Sequence, residues 1–421
     1  MRQDKYSKIV VYSGFYYNKK DLRGIDENIS TNNTPIVNDF EQYFSRFNTK
    51  KVLILTDEDI ESDLRVQSQI LALKRLTKDI TLMHIGLVNS YSEKQKNILK
   101  RKIYLNFFKN IFLFVGFAYI TKKMMPSLAL RKKAKQGIFN DNNNLLFQGI
   151  ETKDYSLVVC NNLITARAIK LSKQTDYIYD SHELEVFRSR KKQSLERSFH
   201  VYLQERKIVK KIKNIITISR RNASLLSKIH GVDIKTFSII YNQNFEKKTI
   251  FFNGNEKMSI LFVYIGRVEK SRGLNDIVFL TKQGFKVLLI ACNYEVEDLE
   301  YVIKSSNHNN LVLFKGMNYQ EFLLDNMRLY LQVYFLALIA KNSVSYQNAL
   351  PNKFFQAHAL GLPIIAYSDT YLSEVVEKYA CGLLFDEDFL KKITTVTVSD
   401  YNKMRLAMTC DIAKAIACRE L

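Results

Sequence analysis

The stretch that decides the fold is Ile260-Leu-Phe-Val-Tyr-Ile265-Gly266-Arg267-Val268-Glu269-Lys270-Ser271-Arg272-Gly273. Its first six residues read as a strand, and Leu274 opens a helix. Gly266 and Gly273 let the backbone between them turn tightly and come close to a ligand. The helix start offers free N–H groups and a positive dipole end. Arg267 and Arg272 add two guanidinium groups suited to bidentate phosphate contacts. The unit has the chemistry of a diphosphate cradle, although it is neither a Walker A nor a GxGxxG sequence. On its residues alone, a solvated basic turn is an equally good reading.

Outward from this loop the same strand–helix alternation continues. Helix 274–283, strand 286–291, helix 295–305, strand 311–314, helix 319–327 and strand 330–336 follow it. Helix 351–360, strand 363–367, helix 371–379 and strand 383–385 complete the pattern. A last helix over about 399–419 is expected to return toward the first half of the chain. Upstream, the polar stretch 242–257 reads as a linker. Before it, Lys51-Val-Leu-Ile-Leu-Thr56 is an apolar run fit for a parallel strand buried on both faces. Helix 64–76 with apolar residues at helical spacing, strand 80–85, strand 157–160, helix 162–173 and strand 177–179 come next. Amphipathic helix 195–213, strand 214–219 and helix 220–229, with Ser219 as its N-cap, lead to strand 236–241. Alternation of this kind implies two doubly wound α/β domains, spanning 1–240 and 241–398, with 399–421 as the returning helix. Two such sheets facing one another leave a cleft at their strand C-termini. KIVVYSGF near the start could form a strand.

The second chemical feature is Leu350-Pro351-Asn352-Lys353-Phe354-Phe355-Gln356-Ala357-His358-Ala359-Leu360-Gly361-Leu362-Pro363. Pro351 suits a first helical turn and Gly361 a C-terminal cap. A well-capped helix packed on a sheet accounts for these residues equally well. His358 reads as structural, since it lies on a different helical face from Gln356.

The 421 residues carry 63 Lys and Arg against 42 Asp and Glu, a net charge of +21. The excess calls for an anionic partner: nucleic acid, a membrane surface or phosphorylated substrates. The basic runs at 122–123, 131–135, 188–192 and 206–213 all lie in the first half. Two of them flank the apolar stretch Ile103 to Thr121, which suits a membrane surface better than a DNA groove. That stretch is interrupted by Asn106, Lys109 and Asn110. It reads as an interfacial segment within 101–135, with a buried core helix and a spanning helix as alternatives. The five cysteines are scattered and form no CxxC pair, which points to reduced thiols and no structural zinc. No signal peptide is evident at the N-terminus.

Together the two chemical features resemble the donor half of glycosyltransferase family 4, whose fold is GT-B. Members carry a Gly-Arg loop ending in Lys-Gly, followed about eighty residues later by a Pro-Asn-Lys-Phe-Glu…Ala-x-Gly-x-Pro unit. Tyr179-Asp180-Ser181-His182-Glu183 looks like the family's Asp-x-His-Glu segment, and Asp63-x-Arg65 resembles the start of its first helix. The resemblance covers roughly residues 51–420.

It implies a nucleotide diphosphate sugar as co-substrate, held by Gly266, Arg267, Arg272, Gly273, Asn352, Lys353, Phe354 and Gln356. Arg267 and Arg272 would stabilise charge on the leaving phosphate, with Arg272 where the family usually has Lys. His182 would act catalytically, with Asp180 and Glu183 beside it on the acceptor side. The resemblance implies a retaining transferase needing no cofactor and no metal. Its acceptor would be a lipid-linked saccharide of bacterial surface polysaccharide synthesis, at the cytoplasmic face of an anionic membrane. The sequence departs from the family where Asn348 and Gln356 replace the two Glu of a Glu-x7-Glu pattern, and where the Gly-Gly loop after the first strand is missing. These departures motivate the alternative of a non-catalytic GT-B subunit supporting a partner transferase. A nucleotide-sugar epimerase and a nucleic-acid binder fit less well, since neither brings its motifs.

Overall fold

Strands that the pattern predicts as buried runs form two sheets. In a computed structural model, residues 6–12, 15–21, 34–58, 63–87, 149–187, 195–243, 260–316, 318–339 and 344–410 are described. The segment 101–135, read as membrane-docking, lies outside them. Among the described residues no helix is long and apolar enough to cross a membrane. The chain divides into two compact units, the first built mainly from residues up to Ile240 and the second from Tyr241 onward.

The first unit opens with strands Tyr6–Tyr12 (β1) and Phe15–Asp21 (β2), then helix Pro35–Phe44 (α1). Val52–Thr56 (β3), helix Leu64–Leu76 (α2) and Ile80–Leu87 (β4) follow. Next come Ile150–Glu151 (β5), Leu157–Asn161 (β6), helix Asn162–Arg167 (α3), Ile169–Lys170 (β7) and Asp176–Ser181 (β8). Helix Leu195–Lys211 (α4), Asn214–Thr217 (β9), helix Arg220–His230 (α5) and Phe237–Ile239 (β10) complete it.

The sheet order is β1-β2-β4-β3-β6-β8-β9-β10. From β4 to β10 all pairs are parallel, while β1 and β2 form an antiparallel hairpin that β2 joins to β4. Of the stretch KIVVYSGF, residues 8–12 fall in β1 and Phe15 opens β2 at an antiparallel edge. Its core buries Ile36, Phe40 and Phe44 of α1 and Val66, Ile70 and Leu73 of α2 against Val52 and Ile54 of β3. Helix α3 stops at Arg167, short of the expected 173. Ile169–Lys170 leave the helical path to pair with Ile150–Glu151, which requires Gly149, where a Cβ would lie 2.5 Å from the Lys170 nitrogen. Ser219 caps α5 as expected: its Oγ accepts from the Asn222 N–H at 3.1 Å.

The second unit runs through Ile260–Val268 (β11), helix Leu274–Lys282 (α6), Lys286–Tyr294 (β12), helix Val296–Ser305 (α7) and Leu311–Lys315 (β13). Helix Gln320–Met327 (α8), Gln332–Leu336 (β14), the short helix Val344–Asn348 (α9), helix Asn352–Leu360 (α10) and Ile364–Tyr367 (β15) follow. Helix Tyr371–Tyr379 (α11), Gly382–Phe385 (β16), and helices Phe389–Thr395 (α12) and Val398–Thr409 (α13) end it.

All six strands are parallel, in the order β13-β12-β11-β14-β15-β16. Counted from the first strand of the unit, this is the 3-2-1-4-5-6 order of dinucleotide-binding sheets. Helix α13 packs within this unit. The Tyr401 hydroxyl donates to the Val333 carbonyl and accepts from the Val333 N–H, and Tyr401 belongs to the same core as Phe262 and Leu289. At its end, His358 of α10 donates from Nε2 to the Cys410 carbonyl at 2.9 Å. Of the expected helix 399–421, the described part places Tyr401 and Met404 in the second unit's core. Residues 411–421 lie outside the described residues.

Candidate functional site

A parallel sheet binds ligands outside the carboxyl ends of its strands, at the point where strand order reverses. In the first unit that point falls between β3 and β6, and in the second between β11 and β14. Each carries a polar constellation.

At the first, Asp180 ends β8 with no exposed surface. Arg65 of α2 clamps it with two bonds, Nε to Oδ2 and Nη2 to Oδ1, both 2.8 Å. The third arm of the guanidinium, Nη1, donates to the Ile240 carbonyl at 2.9 Å, and its face lies over Phe40. Helix α2 starts where it does because Asp63 caps it, accepting from the N–H groups of Arg65 and Val66. Gln69, one turn further along α2, donates to Asp180 Oδ2 at 2.6 Å and to Asn161 Oδ1 at 2.9 Å. Burial by itself would raise the Asp180 carboxyl, but Arg65 and His182 outweigh it and hold the group at about 2.

His182 stands at the rim of this network, its side chain 13% exposed. Its Nε2 lies 3.1 Å from Asn161 Oδ1 and 3.5 Å from Asp180 Oδ2. The Asn161 amide cannot turn over, because its Nδ2 donates to the Leu55 carbonyl and to Gln69 Oε1. Nε2 therefore faces two acceptors and carries the proton, which leaves Nδ1 as the basic nitrogen of the neutral ring. Burial lowers the ring's basicity, and the Asp180 charge more than restores it, so the pKa is raised. His182 can accept a proton or hydrogen bond at Nδ1, or donate there once protonated.

Beside it, Asn162 holds a left-handed backbone, φ 68°, at the end of β6. Its Nδ2 donates to Asp57 Oδ1 at 3.0 Å, fastening the ends of β6 and β3. Asn162 Oδ1 and Asp63 Oδ2 are buried with no partner among the described residues. Both are acceptors, and a hydroxyl is the group that would satisfy them.

At the second switch point, β11 ends in Gly266, with φ 136°, and the loop closes at Gly273, with φ 76°. Gly273 has to be glycine: a Cβ there would lie 2.5 Å from Leu338 Cβ. Arg267 is turned to two carboxylates, Glu269 Oε2 at 3.4 Å and Glu295 Oε1 at 2.9 Å. Arg272 lies 3.9 Å from Glu269, and its Nε is buried with no hydrogen-bond partner among the described residues. Helices α6 and α10 both start here, at Gly273 and Pro351, and neither has a side-chain N-cap bond. Their first N–H groups and positive dipole ends are available to an anion.

Lys353, at the second position of α10, is buried. Its Nζ donates to the Ile265 carbonyl and lies 3.5 Å from the centre of the Tyr264 ring. Burial, and then the Arg272 charge, push its pKa far below the ordinary lysine value.

The expected donor residues divide on inspection. Gly266, Arg272, Gly273 and Lys353 converge on one strand end. Asn352 is exposed beside them, and Gln356 is half-buried, one turn along α10 from Asn352. Phe354 is different: it has no exposed surface and packs its ring against Phe355 and His358, so it supports the helix rather than meeting a ligand. Among the residues expected on the acceptor side, Asp180 is fully buried. Arg65 and Gln69 consume its oxygens, and it acts from behind His182. Glu183 contributes its backbone carbonyl, which accepts from Ser181 Oγ at 3.0 Å.

Sequence reading passed over Arg65's pairing, Gln69, Asn161 and Asn162. The only signal was two asparagines directly after the apolar run 157–160, where a parallel strand delivers side chains to its ligand-binding edge. Among the described residues no group of three or more His, Cys, Asp or Glu is gathered as a metal site would gather them.

No protein-family model matches the chain, and no curated protein matches it. Solved structures do. HepE from Anabaena, in complex with UDP, aligns over 88% of this chain and 95% of its own, with 13% identity and a TM-score of 0.52. The lipopolysaccharide outer core galactosyltransferase WaaB, in its apo form, aligns over 70% of this chain and 82% of its own, with 13% identity and a TM-score of 0.42. TarM aligns over 63% of this chain at 12% identity with a TM-score of 0.44. This chain spans about half of TarM's length, 53%. Two Rossmann-like units in succession, matched along nearly the whole of HepE, give this chain the GT-B fold of glycosyltransferases.

Proposed function

We propose that the chain is a glycosyltransferase that moves a sugar from a nucleoside diphosphate sugar to a saccharide acceptor. The observation that carries this reading is the second switch point. Arg272 and Lys353, both without a hydrogen-bonded carboxylate, and two uncapped helix starts meet there at the end of β11. Such a concentration of positive charge fits the diphosphate of a donor, and it would stabilise charge on the leaving phosphate without rearranging. The UDP bound to HepE supports a nucleoside diphosphate as the ligand class.

In the first unit, His182 presents Nδ1, and Asn162 and Asp63 present unsatisfied oxygens, a combination suited to hydroxyl groups of a sugar acceptor. A retaining course that needs no metal or cofactor belongs to the same reading and rests on the family resemblance. So does a lipid-linked acceptor at the cytoplasmic face of an anionic membrane. The basic runs around Ile103 to Thr121 support that last part.

The test is a thermal-shift screen with UDP, GDP, CDP and dTDP, with Arg272→Ala as control. A ligand bound only by the folded chain raises its melting point. A rise with one diphosphate that is lost in the variant is the expected result. No rise with any of them would count against a donor site. It would favour the second reading, a non-catalytic subunit of the same fold, which Asn348 and Gln356 motivate. Asn348 gives its amide to the Val344 carbonyl of its own helix.

A further inference from the structure

The amine of Lys353 is buried, and among the described residues no carboxylate meets it. Its surroundings are the Tyr264 ring and Ile265 carbonyl of β11, the Phe335 ring of β14, the Cys292 thiol of β12 and the Arg272 guanidinium. None is an anion, and one is a cation. The start of α10, on which Lys353 sits, adds positive dipole rather than relieving it. An isolated ammonium in such a place gives up its proton more readily than it remains charged.

The loop backbone also comes close to the amine. A Cβ on Gly266 would lie 3.3 Å from Lys353 Nζ and 3.9 Å from its Cε, so the missing side chain lets the loop lie against the amine. An anion lodged in the Gly266–Gly273 loop would sit beside it.

We propose that binding of a nucleoside diphosphate in this loop is coupled to uptake of one proton from solvent onto Lys353 Nζ. The inference rests on the donor-site reading above. The diphosphate supplies the missing negative charge, and the ammonium re-forms to meet it. The tightly held donor state is then the one with Lys353 charged, so the cation is present when the sugar–phosphate bond breaks. By linkage, affinity falls as pH rises above the pKa of Lys353 in the empty site. The fall approaches about tenfold per pH unit, up to the pKa in the filled site.

The experiment is calorimetric titration of the full chain with UDP, or whichever diphosphate stabilises it. It is run at mildly alkaline pH, where the nucleotide is already ionised, in two buffers of different ionisation enthalpy. The expected heat differs between buffers by an amount corresponding to uptake of a fraction of a proton, rising toward one with pH. Lys353→Arg keeps the charge but cannot shed it, so it is expected to bind with no uptake. Binding by the wild-type chain with buffer-independent heat would overturn the proposal while leaving the donor site standing. Uptake that persists in a folded Lys353→Arg would reassign the proton and overturn it too. If no diphosphate binds, the donor reading falls and this inference with it. Should Lys353→Arg fail to fold, the wild-type measurement decides alone.

Discussion

Two buried basic side chains, Arg65 and Lys353, sit behind equivalent edges of the two sheets, and they are treated differently. Arg65 meets Asp180 with two bonds of 2.8 Å and a carbonyl with its third arm. Lys353 meets one carbonyl and a ring face, with no carboxylate. In the first unit the Arg65–Asp180 pair is thus matched within the protein and the rim histidine is held in one tautomer, while the acceptors Asn162 Oδ1 and Asp63 Oδ2 at that switch point stay open among the described residues. The second is left one anion short. Under the proposed function, hydroxyl groups would satisfy the first site's open acceptors, and a diphosphate would supply the anion that the second lacks.

The comparison can be broken most forcefully at Asp180. Asp180→Ala strands Arg65 as an unpaired buried charge and is expected to cost about 3–5 kcal/mol of stability, measured by urea denaturation. A loss near zero would mean that the network is not closed as described. The pH dependence has a definite sign. The folded carboxyl is held at about 2, below its unfolded value. Its contribution is complete above about pH 4 and disappears as pH falls from there through the folded pKa. Acid unfolding that is unchanged in Asp180→Asn would remove it from that role.

His182→Ala is expected to lower turnover about 100-fold or more, the range for a lost acid–base group, while nucleotide binding measured by thermal shift stays unchanged. Loss of binding instead would merge the two sites that the comparison separates. Arg272→Ala is expected to cost about 1.5–3 kcal/mol of diphosphate binding, as for a hydrogen bond to a charged group. Its stability in the absence of ligand should change little, since its Nε has no partner to lose. The smallest expected effect is at Gln356→Glu, a change of about 1 kcal/mol in nucleotide affinity if the side chain meets the ribose. No change would place Gln356 outside the site.

The second unit was largely legible in the sequence because each strand is a short apolar run and each turn carries Gly, Pro or a capping residue. The Gly266–Gly273 loop and the Pro351 helix start fall where the pattern puts them, and Gly361 ends α10 with φ 62°. What local pattern does not carry is pairing over long separations. Arg65 lies 115 residues from Asp180, and Gln69 lies 92 from Asn161. No periodicity announces such contacts. The direction of Phe354 was illegible for a related reason: its packing against Phe355 and His358, which leaves it no exposed surface, is not carried by the local motif. The truncation of α3 escaped notice because two residues, Ile169 and Lys170, were drawn into a ladder with Ile150–Glu151, for which the pattern assigned no strand.

The attachment of α10 to the end of the chain has a consequence for how the protein is made. The first unit is complete once residue 240 has emerged from the ribosome, so it can fold while the rest is still being translated. The second cannot. Its central strand β14 is pinned by Tyr401, and the helix bearing Lys353 is tied through His358 to Cys410. The Gly266–Gly273 loop therefore acquires its support only after residues 401–410 have been made. A chain that ends before Tyr401 would carry the whole loop sequence and lack the fastenings beneath it.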